Sequence, residues 1–457
     1  MDLRTLAVAG DVITRSHPDY ETARRVWNGA IDRHPAAIIR CTSTADVVAG
    51  LAWGREQGLT IAVRGGGHSI PGLSTCDDGV VLDLGGLRRM EVDAGARMAV
   101  AGPGLVWADF DAATQEHGLA SPGGEISDTG IAGLTLGGGI GWVSRRFGLA
   151  CDQLVEAEVV TADGRIVRAS ADEHADLFWG LRGGGGNFGV VTEFRFRVHP
   201  VGPVLPVAIG MHPAAAAGEA LRAVRDWCAD QPDEVGVNLA LITAPPVPPI
   251  PPELHGQRVA VIAACHTGDV ESGGAHLRSL ERAGLAQLTP MPYVALQSMV
   301  DAAVPPGRGS YVKSEFLGHV DDAIIDALLD GWAAMSSPLN QILLRLMGGA
   351  IAQVDRDATA FVHRDAGWML TAAAVWPDPA ADPQPHAAWS RAVWEATLPA
   401  SSGGGYVNHL YDEGEDRVRA AYGPTTWDRL VDLKTTWDPD NVFRLNQNIR
   451  PRTAQPA

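Results

Sequence analysis

The 457-residue sequence is poor in cysteine, in positive charge and in long apolar runs, and each shortage closes a class of function. Its five cysteines, Cys41, Cys76, Cys151, Cys228 and Cys265, are odd in number and scattered, with no CxxC pair and no histidine at metal spacing. Neither a disulfide framework nor a zinc site follows from that pattern; the thiols read as reduced and buried, and no metal is expected. Lys and Arg total 36 against 54 Asp and Glu, a formal net charge of -18. Nucleic-acid binding needs clustered cations that neutralise phosphates, and no basic stripe occurs. No apolar stretch approaches the roughly 20 residues of a membrane helix, and the N-terminus lacks the basic, apolar and small-residue regions of a signal peptide. The expectation is a cytoplasmic monomer or homodimer with no membrane and no nucleic-acid partner.

Glycine is abundant, with 53 residues beside 30 prolines, while the hydrophobic fraction of 46% and charged fraction of 20% are ordinary. Such a chain is globular, with many turns and close backbone contacts, and at about 150 residues per unit two or three folding units are expected. The run Arg64-Gly65-Gly66-Gly67-His68-Ser69 sets an imidazole at the end of a glycine turn. Amides approach a phosphate closely only where side chains are absent, so the run reads either as an anion cradle or as an ordinary loop. Leu59 to Val63 and Gly79 to Leu84 are apolar and β-branched, which places it between strands. It opens no helix and lacks Gly-Lys-Ser/Thr, so the Rossmann fingerprint and the phosphate-loop NTPase motif are both excluded.

Up to about Pro200, short β-like runs alternate with glycine turns, as at Val80 to Leu84, Met98 to Ala101 and the Asp163-Gly164 hairpin. Gly189 to Val198 alternates as a half-buried strand, and helices are expected at Thr44 to Gln57 and Val106 to Gly118. Beyond Pro200 the pattern turns helical at Ala214 to Ala229, around Ile324 to Trp332 and at Trp389 and Val393, with a stiff connector at Pro245 to Pro252. The final fifty residues resemble the first part again, with Gly403 to Asn408 leading into a helix. A chain that leaves one domain and returns to it is the expectation.

Two further glycine clusters stand out: Gly130-Ile131-Ala132-Gly133-Leu134-Thr135-Leu136-Gly137-Gly138-Gly139-Ile140-Gly141, and Leu181-Arg182-Gly183-Gly184-Gly185-Gly186-Asn187-Phe188-Gly189 before a strand. Three clusters suffice to wrap an extended cofactor. With these segments the sequence resembles the flavin oxidases of the berberine bridge enzyme-like group, within the vanillyl-alcohol oxidase type FAD-binding superfamily, and its monocovalent members such as the 6-hydroxynicotine oxidases. The resemblance rests on Arg64 to Ser69, Gly137 to Asp152, Asp176-Leu177-Phe178-Trp179-Gly180-Leu181-Arg182-Gly183, Tyr406-Val407-Asn408 and Asp438-Pro439 to Pro451. It implies an α+β, two-domain flavoprotein. Residues 1–200 form an FAD-binding domain of two α+β subdomains, 201–402 a substrate domain with an antiparallel sheet flanked by helices, and 403–457 a segment returning to the FAD-binding domain.

The resemblance further implies FAD bonded covalently through one histidine, His68, a link that makes a flavin the stronger oxidant. Relatives with a second, thioether link carry a cysteine eleven residues before the triple glycine; this chain has Ile126 there, and Cys151 lies on the far side of the run. A single bond is therefore expected. Cofactor contacts are assigned by the same resemblance to Arg64, Gly65, Gly66, Gly67, Ser69, Thr129, Gly130, Gly133, Gly137, Gly138, Gly139, Gly141, Val191 and Asn446. Close strand packing is the competing reading for several of the glycines.

Hydride transfer to a flavin commonly requires a base for the heteroatom proton. Tyr406 and Asn408 match the family's Tyr-x-Asn motif and His409 follows them; Tyr406 and His409 are the candidate bases, or polar residues at a domain boundary. In the second domain Tyr311, Lys313 and Glu315 fall on one face of Tyr311-Val312-Lys313-Ser314-Glu315-Phe316, and His363 lies in Phe361-Val362-His363-Arg364. These four are the substrate candidates, with an exposed sheet face as the alternative. The expected function is an oxidoreductase taking a hydride from a small alcohol, amine, sugar or secondary metabolite onto a His-linked flavin, with dioxygen reduced to hydrogen peroxide. The resemblance implies that the residue three after the cysteine position governs a path for dioxygen; here it is Thr129, not the family's usual residue but no bulkier than Val, which implies access for oxygen. A flavin dehydrogenase with another acceptor and a flavin-containing drug-sequestering protein stay open.

Overall fold

The computed structural model describes residues 3–247, 250–411 and 413–452. Ala37–Arg40 and Val80–Asp83 are buried except at their last residues, as parallel strands covered on both faces must be. They pair in parallel, Ile61–Arg64 extends the sheet beyond Val80–Asp83, and Val12–Thr14 closes the other side antiparallel. The helix Thr44–Glu56 starts at Ser43, whose hydroxyl accepts from the Asp46 amide. Gly50 and Gly54 let it settle on this sheet: a Cβ at Gly50 would stand 2.7 Å from Leu82 Cδ2, and one at Gly54 2.9 Å from Val80 Cγ1.

A second sheet runs in the order Met90–Asp93, Met98–Ala101, Val190–Arg197, Leu154–Val160, Ile166–Ser170, antiparallel throughout. Its central strand follows the alternation of its sequence, with Phe194 and Phe196 fully buried and Arg197 exposed. The third sheet has seven antiparallel strands, ordered Gln287–Leu288, Val207–Pro213, Arg258–His266, Val235–Thr243, Gln341–Leu346, Trp368–Trp376, Gly309–Leu317. Helices Ala214–Cys228, Val270–Arg282, Asp322–Ala333 and Gln384–Thr397 pack on it, bringing Leu221, Leu277, Ile324 and Val393 into one core with Leu239, Ile262 and Ala372. Each such Leu or Ile contributes about 1.5–3 kcal/mol of burial. Asp269 and Asp321 cap two of these helices by accepting amides of the first turn.

The end of the chain packs back on its first part. Trp427, Leu430, Leu433 and Trp437 of helix Pro424–Trp437 share a core with Trp179, Leu181 and Phe188. Lys434 is fully buried: its ammonium donates to Asn187 O at 2.8 Å, Phe443 O at 2.9 Å and Asp438 Oδ2 at 2.7 Å. Asp438 in turn accepts from the amides of Val442 and Phe443. That knot holds the tail against the third glycine cluster.

Two segments differ from the sequence-based expectation. Phe361 to Arg364 is irregular chain rather than strand, because the Phe361 amide and the Arg364 guanidinium both bond Thr359 Oγ1 in a local turn. Gly403 to Asn408 enters only a short 3-10 turn, Val407–His409, and the next helix begins at Glu415. Within the expected Pro245 to Pro252 connector, Pro248 and Pro249 lie outside the described residues. All five cysteines are buried. Among the described residues no helix is long and apolar enough to cross a membrane, and no cluster of His, Cys, Asp and Glu is placed to hold a metal.

Candidate functional site

The sheets meet around a cavity of about 380 Å³. Loops make one wall: Gly65 to Ser69 after the Ile61–Arg64 strand, Thr129, Gly130 and Gly133 around the start of helix Ile131–Leu136, and Gly185, Gly186 and Gly189 ahead of Val190 and Val191. Facing them is the seven-stranded sheet, through Ser310 and Val312, then Gln341, Leu343 and Arg345, then Met369, Thr371, Ala373 and Val375. The returning tail closes the space with Tyr406 to His409 and Leu445 to Gln447.

The loop wall is bare backbone for a steric reason. Gly66 and Gly130 touch main chain to main chain, and a Cβ on Gly66 would come within 2.6 Å of the Gly130 nitrogen. Gly67 has φ 70°, and at Gly133 and Gly186 nothing lies within 4 Å of the point a Cβ would occupy. Among the described residues, the amides of Gly66, Gly67, His68 and Ser69 have no protein acceptor. Successive free amides around a left-handed residue form a concave anion site without lysines, which suits a chain of net charge -18.

His68 stands at the end of that row. Its Nε2 is 3.2 Å from Asp128 Oδ1, and its ring stacks on Trp27 with centroids 4.4 Å apart. Nδ1 has no protein partner among the described residues, so the carboxylate and the indole leave one ring nitrogen available. Four buried polar atoms of cavity-lining residues also lack partners among the described residues: Trp27 Nε1, Ser74 Oγ, Tyr422 Oη and Asn446 Oδ1.

Tyr406 and Asn408 form a brace. The Tyr406 hydroxyl accepts from the Gly139 amide at 2.9 Å and from Asn408 Nδ2 at 2.8 Å, while Asn408 Nδ2 also donates to Leu134 O. Burial pushes the Tyr406 phenol up to about 12, so it keeps its proton at neutral pH. His409 borders the cavity with Nδ1 3.5 Å from Thr371 Oγ1. Burial first, then the charges of Arg345 and His68, push its imidazole down to about 3. It is a neutral acceptor throughout the physiological range.

Other expected residues lie elsewhere. Arg64 is buried in an ion pair with Asp83 at 2.8 Å. Gly137, Gly138, Gly139 and Gly141 do not line the main cavity; their bare backbones accommodate Asn408, Phe361, Ala150 and the Gly123 carbonyl respectively. On Gly309–Leu317 the alternation holds, but Ser310 and Val312 take the cavity side. Tyr311, Lys313 and Glu315 turn toward helix Gln384–Thr397: Tyr311 accepts from Arg391, Lys313 lies over Trp394 and pairs with Glu413, and Glu315 accepts from Trp394, Ser401 and Arg417. His363 donates through Nε2 to Ala421 O, a carbonyl that can only accept; its ring stacks on Phe316 and is pushed down to about 4 by burial. Cys151 is fully buried and its thiol is pushed up by burial, whereas Ile126 lines the cavity.

Sequence reasoning missed the charged pair of the sheet wall. Arg345 Nε donates to Glu125 Oε2 at 2.7 Å and its Nη1 reaches Thr371 Oγ1 at 3.3 Å, while Asn238 Nδ2 donates to Glu125 Oε1 at 2.7 Å. The available signal was an arginine at every-second-residue spacing after Gln341 and Leu343 in an otherwise apolar strand.

Residues 35–170 match the FAD binding domain family, and residues 405–450 the berberine and berberine-like family. The chain is 30% identical to an FAD-linked oxidoreductase of Dictyostelium discoideum, covering 97% of this chain and 95% of the relative. It is also 30% identical to (R)-6-hydroxynicotine oxidase of Paenarthrobacter nicotinovorans, covering 98% of each. The crystal structure of 6-hydroxy-D-nicotine oxidase from Arthrobacter nicotinovorans superposes with a TM-score of 0.87 at 25% identity, over 99% of this chain and 100% of the other. A berberine bridge enzyme-like protein of Physcomitrella patens has the same fold, with a TM-score of 0.86 at 24% identity over 98% of each chain.

Proposed function

The chain belongs to the berberine bridge enzyme-like FAD-linked oxidoreductases, and we propose that it is an oxidase whose FAD is bonded to His68. The observation that carries this reading is the single unengaged nitrogen of His68 at the end of four unpartnered amides on the cavity wall. The residues present fit FAD: the free amides of Gly66 to Ser69 suit a pyrophosphate, the open positions at Gly133 and Gly186 admit a bulky ligand, and the unpartnered Trp27, Tyr422 and Asn446 atoms offer polar contacts. When bound there, FAD supplies two-electron oxidation of a small organic substrate, with dioxygen as final acceptor and hydrogen peroxide as product.

The chain's own groups do the rest. His409, held neutral, accepts the hydrogen bond of the substrate's hydroxyl or amine and so orients the adjacent carbon from which hydride leaves. Tyr406 keeps its proton and steadies the Gly139 turn. Leu343, Met369 and Val375 on the sheet wall exclude water from the reacting end. Thr129, small and on the cavity wall, leaves room for dioxygen. Acid precipitation of the purified protein tests the bond: a yellow pellet is expected, and a colourless pellet with all flavin in the supernatant sinks the His68 link. Mixing chemically reduced protein with air tests the oxidase: the oxidised spectrum returns within seconds, and its absence for many minutes identifies a dehydrogenase.

A further inference from the structure

We propose that this site takes an uncharged, largely apolar substrate bearing a carbonyl, phenol or hydroxyl oxygen that accepts a hydrogen bond from Arg345, and that it rejects ammonium and carboxylate substrates. The inference rests on the flavoenzyme reading above and names the substrate class of the same cavity. Glu125 and Arg345 carry the full charges among the side chains lining it, apart from any charge on a histidine. They neutralise one another across 2.7 Å, with side chains only 9% and 16% exposed. A further charge brought into this space would leave a net charge out of water, which is costly unless paired.

The hydrogen-bond inventory gives the direction. Each Glu125 oxygen already accepts a bond, one from Arg345 and one from Asn238 on the neighbouring strand, and its charge is balanced by Arg345, so an ammonium group would meet the Arg345 charge without an uncompensated carboxylate. The guanidinium has five N–H groups. Nε is engaged by Glu125 and Nη1 by Thr371, while among the described residues Nη2 has no protein acceptor. The cavity therefore presents a donor whose charge is already compensated, which suits a neutral oxygen. Around it Val312, Leu343, Met369, Ala373 and Val375 are apolar, so a molecule with many hydroxyls would leave most of them unsatisfied. Thr371 links the donor to His409, placing an acceptor beside it for a hydroxyl on the same substrate.

The test uses the flavin-loaded enzyme and four probes of one shape, acetophenone, benzylammonium, benzoate and ethylbenzene, with binding followed by perturbation of the flavin visible spectrum. Acetophenone is expected to bind about tenfold more tightly than each of the others, the scale of one hydrogen bond or one uncompensated charge. In Glu125→Gln, which leaves Arg345 uncompensated, benzoate is expected to overtake acetophenone. In the double variant Glu125→Gln/Arg345→Met, which leaves no buried charge to unfold the site, acetophenone and ethylbenzene are expected to bind alike. Benzylammonium or benzoate binding as tightly as acetophenone to the unaltered enzyme, absent acetophenone binding, or an unchanged order in the variants overturns the proposal. These spectra need neither a covalent bond nor turnover, so a colourless acid pellet counts against the His68 link and slow reoxidation against the oxidase reading, and neither bears on this proposal.

Discussion

His68 Nε2 sits 3.2 Å from Asp128 Oδ1, and the carboxylate thereby settles which edge of the imidazole faces away from it. With Trp27 stacked on the ring at 4.4 Å, rotation is restricted and Nδ1 is the nitrogen left without a protein partner among the described residues. His68→Ala is expected to give a colourless acid pellet. Asp128→Asn removes the charged acceptor that orients the ring, so a smaller covalent fraction than in the unaltered protein is expected after equal incubation with FAD. Cys151→Ser should stay as yellow as the parent, since Cys151 is buried away from the cavity. Pellet absorbance measures all three, and a colourless Cys151→Ser pellet would refute the assignment of the anchor.

Lys434 ties helix Pro424–Trp437 to Asn187, Asp438 and Phe443 with no exposed surface. Breaking one partner of a buried pair costs about 3–5 kcal/mol because the other charge stays unpaired. Lys434→Met is therefore expected to lower unfolding stability by that amount in a urea titration, and Lys434→Met/Asp438→Asn to recover part of it. Since the knot holds Asn446 and Gln447 at the cavity, Lys434→Met should also retain less FAD after gel filtration.

The parts of the site legible from sequence are those where a residue type has one steric use. Glycine runs announced bare backbone at Gly66, Gly130 and Gly186, but glycine equally serves close packing and left-handed backbone: Gly137 and Gly139 have Asn408 and Ala150 against them, and Gly139 has φ 87°, whereas Gly133 faces open space. Alternation in Gly309–Leu317 separated two faces correctly, yet nothing in a single strand says which face meets the helix. Tyr311, Lys313 and Glu315 went to that side because Arg391 and Trp394 of the helix and Glu413 and Arg417 of the returning tail lie there to pair with them. The Arg345 and Glu125 pair was invisible for a related reason, since its partners are joined only by the fold and neither belongs to a local motif.

Tyr406 and His409 make opposite contributions to pH dependence, and neither titrates near neutrality. The Tyr406 phenol is raised to about 12 and the His409 imidazole lowered to about 3, so between these limits one is protonated and the other is not. Between about pH 5 and pH 8, kcat/KM is expected to show no inflection that disappears in His409→Asn. Tyr406→Phe leaves the buried Gly139 amide without its acceptor, a loss of about 1–3 kcal/mol, visible as a lower Tm with an unshifted pH profile. An inflection near pH 6.5, the ordinary histidine value, that vanished in His409→Asn would contradict the buried neutral imidazole.

Asp111 carries the clearest pH dependence of stability. Its carboxyl is wholly buried, with Oδ2 accepting from Gln297 at 3.0 Å and Oδ1 without a partner, and burial raises it to about 7 from an ordinary 3.8. Between those values the folded protein binds a proton that the unfolded chain does not, so this contribution is full below the unfolded value and is lost as pH rises toward 7. Asp111→Asn has nothing to ionise. Its Tm relative to the parent should therefore rise between about pH 4 and pH 8, by the equivalent of about 1–3 kcal/mol for an unpaired buried polar charge. His199, His363 and His409, all lowered by burial, act oppositely, removing stability as pH falls below the ordinary histidine value, but they are common to both proteins and cancel in the difference. A Tm difference of the same size at about pH 5 and pH 8 would mean that Asp111 is already ionised in the folded state across that range.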